Sequence, residues 1–155
     1  GDLDGTLTSF LWSFSDGVTL SGAQVERSFD TSGPVFVQLR TVDDSGSDCA
    51  TGTDTLSVLV NTSPVVDAGP DREVPVGAAH DVVLFDAADA LDADGHGLAL
   101  EWDFGDGTTA SGAIVRHAFA TPGTYTVTVT ARDTTGLTSG VSTDTAVITA
   151  VARGN

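Results

Sequence analysis

The sequence predicts an all-β protein built of two antiparallel two-sheet sandwiches in tandem, the first lacking its opening strands. Three observations predict it. The 155 residues hold 18 glycines, abundant Thr, Val, Asp and Ser, and no methionine, which suits short strands joined by tight turns. Apolar and polar residues alternate at period two through several runs. Most of the chain also aligns with itself, without a gap, at an offset of 90 positions.

The repeat keeps register over most of its length. Trp12, Phe14, Asp16 and Gly17 match Trp102, Phe104, Asp106 and Gly107, and Asp2, Asp4 and Gly5 match Asp92, Asp94 and Gly95. Gly22, Ala23, Val25 and Phe29 match Gly112, Ala113, Val115 and Phe119; Val37 matches Val127 and Asp43 matches Asp133. A period of this length exceeds a solenoid repeat and suits one sandwich domain per copy. The strand-like run from Leu56 to Val60 gives way to Asn61, Thr62, Ser63 and Pro64. The first domain is therefore placed at 1–61 and the second at 62–151, with 152–155 starting a linker or tail. Residues 65–90 open the second copy and have no counterpart in the first, so the chain is expected to begin inside its first domain.

Strands in the second copy follow from alternation. The first two are expected near 73–76 and 82–85. Leu98, Leu100, Trp102 and Phe104 then share one face, and Val115 and Phe119 another. Tyr125, Val127, Val129 and Ala131 face away from Thr124, Thr126, Thr128 and Thr130, and a last strand covers 145–151. Turn signals separate them at Asp94-Gly95, Gly105-Asp106-Gly107, Ser111-Gly112, Pro122-Gly123 and Thr135-Gly136. Trp102 and Phe104 are expected to anchor the core. No run carries a helical period, although residues 87–91 can form one turn.

Charge narrows the function classes. Six basic residues, all arginine, oppose 22 acidic ones, for a net charge of −16. Such a chain is repelled by phosphate backbones and anionic lipid, which argues against nucleic-acid binding and membrane attachment. Without lysine there is no Schiff-base chemistry and no P-loop lysine. No apolar run approaches the roughly 18 residues of a membrane span, and no signal-peptide pattern is present. The single cysteine, Cys49, cannot form an intrachain disulfide and has no neighbouring base to activate it. His80, His96 and His117 are scattered and lack the spacing of a zinc site. No serine elbow or Cys-His pairing is present, so no catalytic residue is assigned. Asn61-Thr62-Ser63 satisfies the glycosylation acceptor pattern, with Pro64 directly after it.

One signature is specific. The run Trp102-Asp103-Phe104-Gly105-Asp106-Gly107-Thr108, then His117-Ala118-Phe119, then Gly123-Thr124-Tyr125-Thr126-Val127-Thr128-Val129, closely resembles the PKD (polycystic kidney disease) domain. The first copy keeps Trp12, Phe14, Asp16 and Gly17 but has Ser13, Ser15 and Arg27 where the second has Asp103, Gly105 and His117. The resemblance implies an immunoglobulin-like β-sandwich, with His117 packed beside the sheet. It also implies calcium, in some members, where the lead-in segment meets an acidic turn and an aspartate after a later strand. The matching positions are Asn61, Asp92, Asp94 and Asp133, and more weakly Asp2, Asp4 and Asp43 in the first copy. Two alternate carboxylates in a turn suit an ion that takes six to eight hard oxygens.

The functional expectation is a non-catalytic spacer or interaction module of a larger secreted or cell-surface protein, acting in adhesion or extracellular assembly. Its expected partners are other domains of that protein, and surface proteins or polysaccharide. Two alternatives remain open at this point: an accessory substrate-binding module of an extracellular hydrolase, and a homopolymeric fibre in which strands donated by a neighbour complete the first copy.

Overall fold

Period-two alternation becomes extended ladders over most of the chain, and the turn signals fall between or at the ends of strands, with Ser111 closing one strand and Gly123 opening another. The computed structural model describes residues 5–45, 50–77 and 81–153, so Asp2, Asp4, Cys49 and His80 lie outside the described residues. The chain divides into two units, Gly1–Val60 and Asn61–Asn155. Among the described residues no helix is long and apolar enough to cross a membrane.

The first unit is one sheet of four strands: β1 (Leu7–Phe14), β2 (Thr19–Ser21), β3 (Gly33–Asp43) and β4 (Thr51–Val60). Their order is β2-β1-β3-β4, all antiparallel, with Trp12 opposite Leu39 and Val37 opposite Leu56. Val37 is its sole buried apolar side chain among the described residues.

The second unit has seven strands, β5 (Arg72–Val76), β6 (Val83–Asp86), β7 (Leu98–Asp103), β8 (Thr109–Ser111), β9 (Ile114–His117), β10 (Gly123–Asp133) and β11 (Val141–Ala152). One sheet runs β5-β11-β10-β7-β8; β6 and β9 form a second, two-stranded sheet. All pairs are antiparallel except β5 with β11, which is parallel. Alternation cannot report strand direction, so the sequence carries no sign of this exception. The short strand β8 and a single 3-10 turn at Thr138–Gly140 were likewise not foreseen.

The core lies between these sheets. Trp102, Phe104, Phe85, Val127, Val129 and Ile148 are all under 2% exposed. Phe85, from β6, sits 5.5 Å from the Trp102 ring and 5.4 Å from the Phe104 ring, at the tilted angles aromatic pairs prefer. The Trp102 indole N–H donates to the Gly112 carbonyl at 3.0 Å, and in the first unit Trp12 does the same to Gly22 at 2.9 Å. The repeat therefore extends to hydrogen bonds that satisfy the buried polar atom of each tryptophan.

Candidate metal centre

Two loops of the second unit, one carrying Asp94 and one running from Asp133 to Ser139, converge on its lead-in residues Asn61 and Thr62. Residues 92–95 form a turn closed by the Gly95 amide on the Asp92 carbonyl at 3.1 Å, with Gly95 at φ +76°. Its aspartates are held by local backbone: Asp92 Oδ1 accepts from the Asp94 amide at 2.8 Å and the His96 amide at 3.3 Å. Asp94 in turn accepts from the Thr62 amide at 2.8 Å and the Thr62 hydroxyl at 2.7 Å, tying the lead-in segment to the turn. Asp133 ends β10, where its Oδ1 accepts from the Thr135 amide at 2.8 Å and from the Thr135 hydroxyl. Asn61 Nδ2 donates to Asp133 Oδ2 at 2.8 Å.

The structure pairs Asn61 with Asp133 and Asp92 with Asp94, and the two pairs are joined through Thr62, which follows Asn61 in the chain and donates to Asp94. Carboxylate oxygens of Asp92 and Asp94 and a ring nitrogen of His96 also lie within 4.8 Å of one another. His96 is the residue that the sequence reading missed. Its signal was the Asp-x-Asp-x-His spacing across a Gly turn, which brings positions 92, 94 and 96 to one side.

Three atoms reveal what the group lacks. The Asp92 side chain is fully buried, yet its Oδ2 has no hydrogen-bond partner, and Asn61 Oδ1 and His96 Nδ1 are buried and unpartnered as well. A buried acceptor left without a partner costs about 1 to 3 kcal/mol. His96 Nδ1 is 3.5 Å from Asp92 Oδ1, too far for a hydrogen bond. The unpartnered oxygens Asn61 Oδ1 and Asp92 Oδ2 and the carboxylates of Asp94 and Asp133 are hard donors of the kind a divalent cation takes.

Hydrogen bonds also act on the Asp133 carboxyl. The Thr135 hydroxyl, then the Asn61 and Thr135 amides, hold its carboxyl below the usual carboxylate range, with His96 adding in the same sense and desolvation opposing. Close packing adds a second constraint: a Cβ at Gly140 would run into the Asp133 carboxylate. In the first copy Ala50 stands at the matching position, and Asp43 accepts from the Ser45 amide at 2.9 Å and hydroxyl at 2.6 Å. Asp43 therefore keeps the turn chemistry of Asp133, while Asp2 and Asp4 fall outside the described residues. The glycosylation pattern meets an obstacle, because the nitrogen it would modify, Asn61 Nδ2, is engaged with Asp133.

Comparison with known proteins agrees with this architecture. The PKD domain pattern matches residues 1–58 and again 61–149. The chain is 34% identical over 99 residues to the collagenase ColA of Clostridium perfringens (strain 13 / Type A), covering 64% of this chain and 8% of that protein. It is 32% identical over 75 residues to a microbial collagenase of Vibrio alginolyticus, covering 48% of this chain and 9% of that protein. The matched stretches are thus less than a tenth of either relative. Two consecutive matches spanning nearly all residues place this chain in the PKD domain family, as a tandem pair of its non-catalytic modules.

Proposed function

We propose that the chain is a spacer and positioning segment of a larger extracellular protein, in which a calcium ion fixes the lead-in of the second unit to that unit's own loops. The observation that carries this reading is the buried, unpartnered Asp92 Oδ2, together with the equally buried and unpartnered Asn61 Oδ1 at the point where the chain enters the unit. Bound there, calcium would supply the positive charge that these oxygens lack. The chain's own residues do the rest. Thr62 is clamped by Asp94 and Asn61 by Asp133, so the lead-in is held against the second unit's own loops. Titration calorimetry on the 155-residue chain tests the ion, with Asp92→Asn expected to weaken calcium binding at least tenfold. Small-angle scattering tests the mechanics. Chelator should broaden the distribution of dimensions, and an unchanged profile with and without calcium would remove the positioning role.

A second reading, an accessory module that holds the substrate of an extracellular hydrolase, is favoured by the two collagenase matches. Its surface support is thin, because Phe36, 62% exposed, is the one aromatic side chain among the described residues that stands well out of the fold. Cosedimentation with insoluble collagen and with insoluble polysaccharide separates the readings, since a pure spacer stays in the supernatant.

A further inference from the structure

The compact part of the metal centre is not the whole group around Asn61. Among the described residues, one carboxylate oxygen each of Asp92 and Asp94 and a ring nitrogen of His96 lie within 4.8 Å of one another, and Asp133 is outside that set. Local sequence places the three. They occupy alternate positions along the turn closed at Gly95, and Asp92 Oδ1 accepts from the backbone amides of both Asp94 and His96. The turn that holds the Asp92 carboxylate thus also holds the two residues that join it.

These bonds leave over one oxygen and one nitrogen. With Oδ1 engaged, Oδ2 of the fully buried Asp92 side chain has no hydrogen-bond partner, and neither has the buried Nδ1 of His96. The His96 ring is 30% exposed, so it meets water, but not through this atom. An ion pair does not account for the nitrogen, because it stands 3.5 Å from Asp92 Oδ1, beyond hydrogen-bond length. Two neighbouring ligands of one zinc-like ion, each bound at roughly 2.0 to 2.2 Å, stand about 3 to 3.5 Å apart. The spacing is that of two ligands of one ion, not of donor and acceptor.

This donor set differs from the one calcium takes. Calcium is held by six to eight oxygens, whereas an imidazole nitrogen suits zinc, nickel, copper and iron. Two carboxylates and one imidazole make three protein ligands, a number that leaves positions for water as open transition-metal sites do. Resting on the reading that a cation fixes the lead-in, we propose that the preferred ion is a first-row transition divalent cation, with His96 Nδ1 as its nitrogen ligand beside the carboxylates of Asp92 and Asp94. Calcium is then the weaker competitor for the same carboxylates. Asp94 also clamps Thr62, so the ion and the lead-in share one carboxylate. The first copy has Thr6 at the position of His96, so its matching turn offers no imidazole.

The test titrates the chelator-treated 155-residue chain with zinc chloride and, separately, with calcium chloride in a calorimeter. The tightest zinc site should bind at least tenfold more strongly than calcium. His96→Asp exchanges the nitrogen for an oxygen; it should lose at least tenfold in zinc affinity and keep its calcium affinity, with circular dichroism confirming the sheet. Asp92→Asn should weaken both ions. Long-range proton–nitrogen spectra read the ligand atom directly: one equivalent of zinc should move the His96 Nδ1 resonance, identified by its loss in His96→Asp, and leave that of His117 in place. Calcium bound more tightly than zinc, equal zinc affinity in wild type and His96→Asp, or an unmoved His96 resonance overturns the proposal, and calcium binding that persists in those cases leaves the calcium reading standing. Zinc binding that needs His96 in a chain that does not bind calcium upholds the proposal and removes the calcium reading. A chain that binds neither ion removes both.

Discussion

The His117 ring lies flat on Phe104, centroids 4.0 Å apart and planes 7° from parallel, while its Nε2 stands 2.8 Å from Asp106 Oδ2. The first unit builds the same corner from different chemistry. Arg27 holds Asp16 through its guanidinium and lies 4.5 Å over the Phe14 ring and 4.8 Å over Phe29. A planar donor group, wedged between two phenylalanines and pinned to the aspartate of an Asp-Gly turn, is thus what the corner requires. Imidazole and guanidinium both meet that requirement, which lysine would not.

The Asp106 corner makes a prediction about acid stability. Burial would raise the Asp106 carboxyl, but the Thr108 hydroxyl and amide and the His117 ring outweigh it, so its titration lies below the usual value of 3.8. A carboxyl depressed in the folded state adds stability that is complete above its unfolded value and is lost as pH falls through the folded one. The melting temperature should therefore decline as pH falls below about 4. Asp106→Asn should lower the melting temperature at pH 7 and make that acid decline shallower. Differential scanning calorimetry between pH 7 and pH 2.5 reads both effects, and an unchanged acid slope would detach Asp106 from it.

Gly105 makes a sharper mutational prediction. It sits at φ +73°, and a Cβ there would stand 2.6 Å from the carbonyl oxygen of Thr126, a backbone atom of β10 held in register opposite Val147 of β11. Gly105→Ala should cost at least about 2 kcal/mol, adding left-handed strain to overlap. The reverse exchange in the first unit is informative. Ser15 occupies that position without positive φ and donates its amide to the Phe36 carbonyl at 2.9 Å, so Ser15→Gly should cost under about 1 kcal/mol. Urea unfolding of the two variants measures the contrast.

These turns also explain how far the sequence could be read. The Trp-x-Phe spacing and the Asp-Gly turns fix which side chains face inward, so the core at Trp102, Phe104 and Val127 was legible residue by residue. The acidic cluster was legible in part. Asp92 and Asp94 announce themselves by spacing, but His96 joins only through the turn closed at Gly95, and Asn61 reaches Asp133 across 72 residues. The parallel pairing of β5 left no trace, since direction depends on how the chain crosses between sheets. The thin cover of the first unit was legible from the repeat, because residues 65–90 have no counterpart in the first copy, and Leu56 and Val58 are exposed where Ala146 and Ile148 are buried.

Gly140 should control the metal centre without contributing a ligand. Because a side chain there collides with the Asp133 carboxylate, Gly140→Ala must rotate or displace Asp133 and strip Asn61 of its 2.8 Å partner. Calcium affinity is expected to fall at least tenfold, with the fold of the second unit retained. The matching substitution in the first copy, Ala50→Gly, should not change affinity at the second unit's site. Calorimetric titration of both variants, with circular dichroism to confirm the sheet, decides the point; wild-type affinity in Gly140→Ala would separate Asp133 from the ion.

The unequal covering of the two units predicts unequal costs for the same kind of truncation. Ile148 is completely buried between sheets, so Ile148→Ala removes packed atoms and leaves a cavity, for about 2 to 5 kcal/mol. Its counterpart Val58 is 39% exposed, so Val58→Ala loses little transfer energy and opens no cavity, for under about 1 kcal/mol. A thermal scan of the wild type should accordingly resolve two transitions. The lower belongs to the first unit, where Val37 alone is buried among the described apolar residues. Val58→Ala should move only that lower transition and Ile148→Ala only the upper. A single transition shifted by both substitutions would mean that the units unfold as one.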